Sequence, residues 1–313
     1  MKTVQFSRFG GPEVLETVER PAPQPGPGEV LVRVRAAGVN YFETLMRRNL
    51  YAVTPELPMV PGVEVALLGA RVAVPLFAIG RPTGGYAEHV AVDAASVVPV
   101  PDGLSFEQAV ALLVPGLTAL HLVQRSPPRG RTVLVTAAAG GVGSMLLQLA
   151  RRAGAERVIA LAGGPEKLEA ARSLGADLGI DYREPSWAAL VRDATGGRGA
   201  DIVHDTVGGA VTKACLDALA PAGELVFAAL GRFELTAAEL EGMLFRNQSL
   251  KGFALLPLLT REGLRADLAE LFALAAAGTL TVTVGGRYRL DQAAEAHRVL
   301  EERRSLGKVV LIP

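Results

Sequence analysis

The sequence has little of several features that often define a protein. It contains one cysteine, Cys215, in 313 residues, so a disulfide framework and a structural zinc cluster of cysteines are both excluded. Lysine and arginine together number 32, as do aspartate and glutamate, and the formal net charge is zero. A dedicated nucleic-acid-binding protein would carry a basic surface. We therefore expect no nucleic-acid partner.

Long apolar runs and a leader segment are missing by inspection as well. Half of the residues are hydrophobic, but polar and charged residues interrupt each stretch before about 18 apolar residues accumulate. Residues 1–11 carry Lys2 and Arg8 with no apolar segment behind them, which is unlike a signal peptide. These features predict a cytoplasmic protein with no membrane partner, whose length suits two domains.

The most informative segment reads as a strand, a glycine-rich turn and a helix. Thr132–Ala137 is β-branched and apolar, as in a buried parallel strand, and apolar residues recur at helical spacing up to Leu149. Between them, Ala138, Gly140 and Gly143 follow the spacing GxGxxG, with alanine in the first position. Gly140 would let the backbone approach a pyrophosphate, and Gly143 would let the helix pack on the strand. The alternative is a tight turn without a ligand. The predicted phosphate-binding residues are Ala139, Gly140, Gly141, Val142 and Gly143.

The pattern of the chain changes twice. Residues 1–117 contain short alternating segments such as Val30–Ala36, typical of half-buried antiparallel strands. Residues 118–256 alternate strands with helices, which indicates a parallel sheet covered on both faces. Residues 257–313 begin with a long amphipathic helix and then return to β-structure, with one further helix before the last strand. We therefore predict an α/β protein in which a Rossmann-type doubly wound parallel sheet is inserted into a β-rich domain. The predicted strands of the middle segment are Thr132–Ala137, Arg157–Ala162, Leu178–Asp181, Asp201–His204, Glu224–Leu230 and Leu250–Leu255.

No acidic residue stands where NAD-dependent enzymes carry one. The second strand ends at Ala162 and is followed by Gly163 and Gly164, whereas an aspartate or glutamate there would bind the ribose hydroxyls of NAD. The space would suit a 2′-phosphate, with Lys167 as its point charge and Tyr182 covering its edge. The simpler alternatives are a solvated helix lysine and a tyrosine packed under a loop. The pattern favours NADP over NAD.

Further short motifs follow one another along the whole chain. They are Gly10-Gly11-Pro12-Glu13-Val14-Leu15, Ala37-Gly38-Val39-Asn40, Pro61-Gly62-Val63-Glu64, Gly84-Gly85-Tyr86-Ala87-Glu88, Leu117-Thr118-Ala119, Ala137-Ala138-Ala139-Gly140-Gly141-Val142-Gly143, Lys167-Leu168-Glu169, Leu174-Gly175-Ala176, Ile180-Asp181-Tyr182, Asp205-Thr206-Val207-Gly208 and Gly307-Lys308-Val309-Val310-Leu311. In this order and spacing the chain resembles the medium-chain dehydrogenase/reductase superfamily, and within it the zinc-independent, zeta-crystallin-like quinone oxidoreductases. The resemblance implies a GroES-like catalytic domain built from both ends of the sequence, an NADPH-binding domain between them, an active site in the intervening cleft, and a homodimer.

The resemblance also implies roles for single residues. Asn40 matches an asparagine beside the nicotinamide ribose, and Thr118 matches a threonine near the same ring. Leu230 and Phe253 match positions where the later strands end over the cofactor. Tyr51 matches a tyrosine at the substrate mouth that could orient the acceptor or donate a proton, although an unshifted tyrosine is a weak acid near neutral pH. The structural alternatives are a turn-capping asparagine, a helix-start hydroxyl and two residues of the sheet core.

The resemblance argues against a metal ion. Zinc-dependent relatives carry a cysteine near Asn40 and a histidine at the position of Val63, and none of the four histidines of this chain forms a ligand pair with Cys215. We expect each histidine to make a local hydrogen bond instead.

The sequence also departs from its relatives after Glu64. There residues 65–70 replace a longer hairpin, which would change one wall of the catalytic domain.

Three functions stay open on this sequence. The first is NADPH-dependent reduction of quinones, and the second is reduction of an enone or an enoyl thioester. A thioester carrier would need cations at the site, for which Arg47 and Arg48 are candidates. The third is an NADPH-binding structural or regulatory protein with little turnover.

Overall fold

The computed structural model describes residues 1–68, 71–80 and 83–313. Contacts between residues divide the chain into two compact units, one made of residues 1–117 with 259–313 and the other of residues 118–258. The strands are β1 (Lys2–Gln5), β2 (Glu16–Glu19), β3 (Glu29–Val39), β4 (Val65–Leu68), β5 (Val72–Val74), β6 (His89–Asp93), β7 (Val98–Pro99), β8 (Thr132–Val135), β9 (Arg157–Ala162), β10 (Leu178–Asp181), β11 (Ala200–Asp205), β12 (Leu219–Phe227), β13 (Ser249–Gly252), β14 (Val284–Arg289) and β15 (Lys308–Ile312). The α-helices are α1 (Tyr41–Arg47), α2 (Phe106–Ala111), α3 (Leu117–Arg125), α4 (Gly141–Arg152), α5 (Pro165–Ser173), α6 (Trp187–Ala194), α7 (Ala210–Ala218), α8 (Ala237–Phe245), α9 (Arg261–Ala276) and α10 (Ala293–Glu301).

The first unit is built around the long strand β3. Its main sheet has the order β14-β15-β3-β4-β5-β7, with β6 also pairing on β3, and β14 with β15 is its parallel pair. In β3, Val34 and Ala36 are buried while Arg33 and Arg35 are exposed. This alternation, predicted for a half-buried antiparallel strand, places the apolar face of β3 in the core of the unit.

The hairpin after Glu64 is formed by β4 and β5, with Val65 opposite Val74. The prediction of a shortened hairpin falls partly on residues 69 and 70, which lie outside the described residues. The second strand of the hairpin ends at Val74 because the next residue, Pro75, has no N–H to donate to a ladder. A 3₁₀ turn, Leu76–Ile79, follows.

The second unit contains six parallel strands in the order β10-β9-β8-β11-β12-β13. Numbered within the unit, this is 3-2-1-4-5-6, the order of a doubly wound dinucleotide fold. The prediction of a Rossmann-type sheet is therefore confirmed. The order reverses between β8 and β11, so the carboxyl ends of these two strands border the crevice in which such folds bind ligands.

Three predicted strands end earlier than expected. The first, β8, stops at Val135 because Ala137 adopts a left-handed backbone with φ 46°. Phe227 and Gly252 are the last paired residues of β12 and β13, so β13 ends where its partner leaves the sheet. The sequence had extended these two strands to Leu230 and Leu255, which instead lie in the loops that follow.

One helical stretch was missed by inspection of apolar runs. Phe106–Arg125 has 20 residues and a mean hydropathy of 1.5, enough by length and composition to cross a membrane. However, 67% of its most apolar window is buried inside the protein. It also widens into a π turn, Leu112–Gly116, which contains Pro115. Such burial is that of a core helix.

Candidate active site

The glycine turn joins β8 to α4 at the carboxyl edge of the parallel sheet. Gly140 is the N-cap of α4, and no side chain caps this end, so the first amides of the helix can meet an anion. A Cβ atom on Gly143 would lie 2.3 Å from the carbonyl oxygen of Ala137, so no side chain fits there. A Cβ atom on Gly140 would lie 3.2 Å from the same oxygen. Gly143 is thus required because the helix packs directly on the turn. At Gly140 the carbonyl oxygen of Ala137 is the neighbour found within 4 Å of the Cβ position, so the space beyond it is free of described atoms.

The next strand end brings Gly163 and Tyr182 together. A Cβ atom on Gly163 would lie 2.8 Å from Cε1 of Tyr182, so the ring of the tyrosine rests directly on the glycine. Gly164 is the N-cap of α5, again without a side-chain cap, and Lys167 lies in the first turn of this helix. The residues predicted to bind a 2′-phosphate therefore follow the neighbouring strands β9 and β10.

Two further residues lie at this strand end, of which the sequence marked Asp181 only as part of a motif and did not mark Arg183. Asp181 accepts the N–H of Gly164 at 3.0 Å and pairs with Arg183 at 2.5 Å. The hydrogen bond from Arg183 holds the pKa of Asp181 well below its usual range, so the carboxylate stays ionised. The negative charge of Asp181 is thus already paired with Arg183 and with the backbone N–H of Gly164.

A buried aspartate shapes the loop after β11, the strand beside β8. Asp205 is fully buried and accepts the N–H of Val207 at 2.8 Å and the hydroxyl of Thr212 at 2.5 Å. The N–H of Thr206 donates to the hydroxyl of Thr136 at 3.0 Å, which ties the loop to the residue after β8. Both loops that border the crevice are therefore fixed by hydrogen bonds, although the sequence marked Asp205 solely as part of a motif.

The remaining cofactor candidates of this unit follow the later strands or lie on a helix. Leu230 comes three residues after β12 and is 49% exposed, so it is not a residue of the sheet core. Phe253 directly follows β13, is half-buried, and donates its N–H to the carbonyl of Phe227 at 2.9 Å. Thr118 is the second residue of α3 and is half-buried.

In the first unit, the side chain of Asn40 bonds to both members of a buried ion pair, Glu64 and Lys308. Its Nδ2 donates to Oε1 of Glu64 at 2.8 Å, and its Oδ1 accepts from Nζ of Lys308 at 2.7 Å. Lys308 also donates to Oε1 of Glu64. The exposed fractions are 7% for Asn40, 0% for Glu64 and 3% for Lys308. Both ends of the Asn40 carboxamide are thus engaged, which the sequence did not reveal.

A second buried carboxylate lies on the backbone side of Asn40. Glu43 accepts the N–H of Asn40 at 2.7 Å, the N–H of Gly62 at 2.9 Å and the hydroxyl of Tyr86 at 3.1 Å. The hydroxyl of Tyr86 also meets Nε2 of His297 at 3.1 Å. Burial raises the pKa of Glu43 to about 7, although its donors oppose this shift. The segments around residues 40 and 62 are therefore held by one carboxyl group.

The substrate candidate Tyr51 follows α1 and packs on Phe42, with ring centroids 5.5 Å apart and an interplanar angle of 30°. Burial raises the pKa of Tyr51, which keeps its hydroxyl protonated and makes it a weaker acid. The prediction that Arg47 and Arg48 supply exposed cations for a thioester carrier is wrong for Arg47. This side chain is fully buried and pairs with Glu301 at 2.5 Å.

Among residues 1–68, 71–80 and 83–313, no group of three or more His, Cys, Asp or Glu residues could hold a metal ion. The expectation that each histidine makes a local hydrogen bond is wrong for His204. Neither of its ring nitrogens has a partner in the described part of the chain, and burial lowers its pKa to about 4.

Known protein families and relatives match both units of the chain. The model of the alcohol dehydrogenase GroES-like domain matches residues 26–67, and that of the zinc-binding dehydrogenases matches residues 174–311. A quinone oxidoreductase of Pseudomonas aeruginosa is 37% identical over 100% of this chain and 99% of its own length. A 2-haloacrylate reductase of a Burkholderia species is 32% identical over 97% of this chain and 96% of its own. The crystal structure of Escherichia coli quinone oxidoreductase complexed with NADPH has a TM-score of 0.90 at 31% identity and covers 100% of both chains.

A GroES-like β-rich unit together with a doubly wound unit defines an oxidoreductase of the medium-chain dehydrogenase/reductase superfamily. The full-length match at 37% identity is more specific. The chain belongs to the quinone oxidoreductase family of this superfamily, as the motifs indicated.

Proposed function

We propose that this chain reduces quinones with NADPH, by hydride transfer and without a metal ion. The observation that carries the proposal is the end of β9, where Gly163 and Gly164 stand in place of an acid and the Tyr182 ring rests on Gly163. The relatives named quinone oxidoreductase, and the neighbour solved with NADPH, support the same cofactor and acceptor.

Each part of the second unit has a task in this proposal. The amides at the start of α4 bind the pyrophosphate, with Ala139, Gly140, Gly141, Val142 and Gly143 forming the turn around it. Lys167 pairs with the 2′-phosphate, and Tyr182 covers it against Gly163. Thr118, Leu230 and Phe253 contact the nicotinamide half and keep water from it. When bound, NADPH supplies the hydride, and the protein contributes position and electrostatics.

Two residues of the first unit also have tasks in the proposed reaction. Asn40 holds the nicotinamide ribose, and Tyr51 orients the acceptor by donating its hydroxyl hydrogen bond to a quinone oxygen. The raised pKa of Tyr51 suits a donor that keeps its proton. Protonation of the product is left to water.

The zinc-free part of the proposal rests on the donor set around Asn40. Zinc prefers thiolate, imidazole and carboxylate ligands, whereas residues 40 and 63 are asparagine and valine. The carboxylate of Glu64 beside them is already paired with Lys308. The ammonium of Lys308 lies 2.7 Å from Oδ1 of Asn40 and would repel a divalent cation there. The donor set around Asn40 therefore does not fit zinc.

We also propose a cytoplasmic homodimer that acts on a small molecule, with neither nucleic acid nor a membrane as partner. The strand β13 is an edge of the parallel sheet, with its neighbour β12 on one side. Apolar side chains of α8 are exposed in the same unit, with Leu244 at 73% and Phe245 at 89%. An open edge and an apolar helix are suited to pairing with a second copy. Light scattering of the Phe245→Glu variant tests this, since a dimer that survives the change would contradict the interface.

The function is tested by NADPH and NADH consumption with a panel of quinones and enoyl thioesters. Two variants separate the parts of the nucleotide site. Lys167→Ala should weaken NADPH binding by about tenfold or more and leave NADH nearly unchanged, because only NADPH carries the 2′-phosphate. Gly140→Val should weaken both cofactors alike, because its side chain blocks the pyrophosphate. If Lys167→Ala weakened NADPH and NADH equally, or weakened neither, the 2′-phosphate assignment would be contradicted.

A second candidate function is the reduction of an activated carbon–carbon double bond. The observation that favours it is the 2-haloacrylate reductase relative at 32% identity. Turnover confined to enones, haloacrylates or enoyl thioesters would put this function first. Tight NADPH binding without oxidation by any acceptor would support the structural or regulatory alternative instead.

A further inference from the structure

The buried ion pair of Glu64 and Lys308 is anchored independently of Asn40. A Cβ atom on Gly38 would lie 2.1 Å from Oε1 of Glu64, so the carboxylate fills the space that any other residue at position 38 would occupy. Its second oxygen, Oε2, accepts the N–H of Val114 in the π turn at 2.7 Å. Because Oε1 accepts from Lys308, the carboxylate is held at both oxygens even without Asn40.

Lys308 is fixed by its place at the start of β15. Its N–H donates to the carbonyl of Thr283 at 2.9 Å, and the preceding residue, Gly307, has φ 68°. A Cβ atom on Gly307 would lie 2.3 Å from that same carbonyl oxygen, so the approach requires glycine. The ammonium thus enters the core from a backbone position with little freedom.

The carboxamide of Asn40 fits between these charges in one orientation. Its NH₂ faces the carboxylate of Glu64 and its oxygen faces the ammonium of Lys308. Rotating the amide by half a turn would set oxygen against carboxylate and NH₂ against ammonium, which are both repulsive. Each charge therefore excludes the same wrong orientation.

We infer that Glu64 and Lys308 are a positioning pair, whose task in the reduction is to hold the Asn40 carboxamide in one orientation toward the nicotinamide ribose. The inference rests on the proposed role of Asn40. Neither charged residue touches substrate or cofactor. The pair acts through the asparagine, since an amide held in place loses less freedom when the cofactor binds.

The test is a cycle between Asn40→Ala and the double variant Glu64→Gln/Lys308→Met. The double variant removes both charges together, so neither Glu64 nor Lys308 is left buried without its partner. In the wild-type background we expect kcat/KM with NADPH and a quinone to fall about tenfold or more. In the Asn40→Ala background the same double change should cost less than about twofold, because nothing is left to position. Equal losses in both backgrounds, or wild-type activity of Asn40→Ala, would overturn the inference.

A matched control is another ion pair of the same unit, in which the fully buried Arg47 meets the partly exposed Glu301. Arg47→Met/Glu301→Gln should lower activity by the same factor with and without Asn40. If the double variant at Glu64 and Lys308 fails to fold, Glu64→Gln alone replaces it, since glutamine keeps an acceptor oxygen for Val114.

A readout that needs no turnover separates this inference from the proposed function. The side-chain amide signal of Asn40 in a ¹H–¹⁵N spectrum should move or broaden in the Glu64→Gln/Lys308→Met variant. An unchanged signal would overturn the positioning pair even in an active enzyme. Conversely, a moved signal in a protein that oxidises no NADPH would leave the pair standing and reject the proposed function.

Discussion

Gly38 and Glu64 approach so closely that position 38 has no room for a side chain. The 2.1 Å separation between a Cβ atom at Gly38 and Oε1 of Glu64 is far below any normal contact. Two of the family motifs, Ala37–Asn40 and Pro61–Glu64, therefore meet at one point. The glycine of the first motif leaves the space that the carboxylate of the second motif occupies.

Gly38→Ala should accordingly lower the free energy of unfolding by about 2–4 kcal/mol, because the methyl group displaces a buried carboxylate from its partners. Chemical denaturation measures the change. Gly103→Ala is the matched control in the same unit, since its Cβ atom would lie an ordinary 3.7 Å from Cβ of Ala276. A loss at Gly38 no larger than at Gly103 would contradict the contact.

Tyr51→Phe keeps the ring that packs on Phe42 and removes the hydroxyl group alone. If the hydroxyl orients the acceptor, KM for the quinone should rise about three- to tenfold while kcat changes little. Steady-state kinetics at a fixed pH separates the two possible roles. A fall in kcat of about a hundredfold or more would instead identify Tyr51 as the proton donor.

Glu43 should make the protein less stable as pH rises. Its pKa is about 7 in the folded protein against an ordinary 4.5, so the folded state binds more protons between these values. The free energy of unfolding should therefore fall across pH 4.5 to 7, by about 1–3 kcal/mol. Denaturation curves of Glu43→Gln should lack this slope, whereas the variant Glu56→Gln, at an exposed position, should keep it.

His204 should act in the opposite direction. Its pKa is about 4 in the folded protein against 6.5, so the unfolded chain binds more protons between these values and stability falls as pH decreases from 6.5 to 4. His204→Leu should reduce this dependence. It should also raise stability near pH 7 by about 1–3 kcal/mol, because an imidazole without a hydrogen-bond partner leaves the core.

His297 provides the comparison for His204. It is equally buried, but its Nε2 meets the hydroxyl of Tyr86 at 3.1 Å. His297→Leu should therefore destabilise the protein near pH 7, where His204→Leu stabilises it. Stabilisation by both changes, or by neither, would contradict the difference in bonding.

Local patterns predicted the architecture well, because each pattern is set by neighbours in sequence. The apolar strand, the glycine turn and the amphipathic helix of residues 132–149 are a single local unit, and the strand order follows from repeating such units. Strand ends were predicted less well. Leu230 is apolar and follows an apolar run, yet pairing ends at Phe227, where the neighbouring β11 ends as well.

The buried polar contacts were beyond sequence reasoning for a related reason. Asn40 and Lys308 are 268 residues apart, and nothing in either local pattern shows that they share a hydrogen bond. Arg47 illustrates the same limit. Beside Arg48 on a short helix it has the pattern of a solvated cation, but its partner Glu301 is 254 residues away. The sequence did contain one signal of these buried contacts, namely charged residues inside family motifs. Glu64 and Lys308 both lie in such motifs.

The pairing of β3 with β15 also has a consequence for the order of synthesis. The central strand of the first unit must wait for a partner encoded more than 260 residues later, whereas every strand of the second unit comes from the continuous segment 118–258. The nucleotide-binding fold can therefore close during translation while the edge of β3 is still unpaired. A nascent chain of this protein therefore passes through a stage with one finished domain and one open sheet.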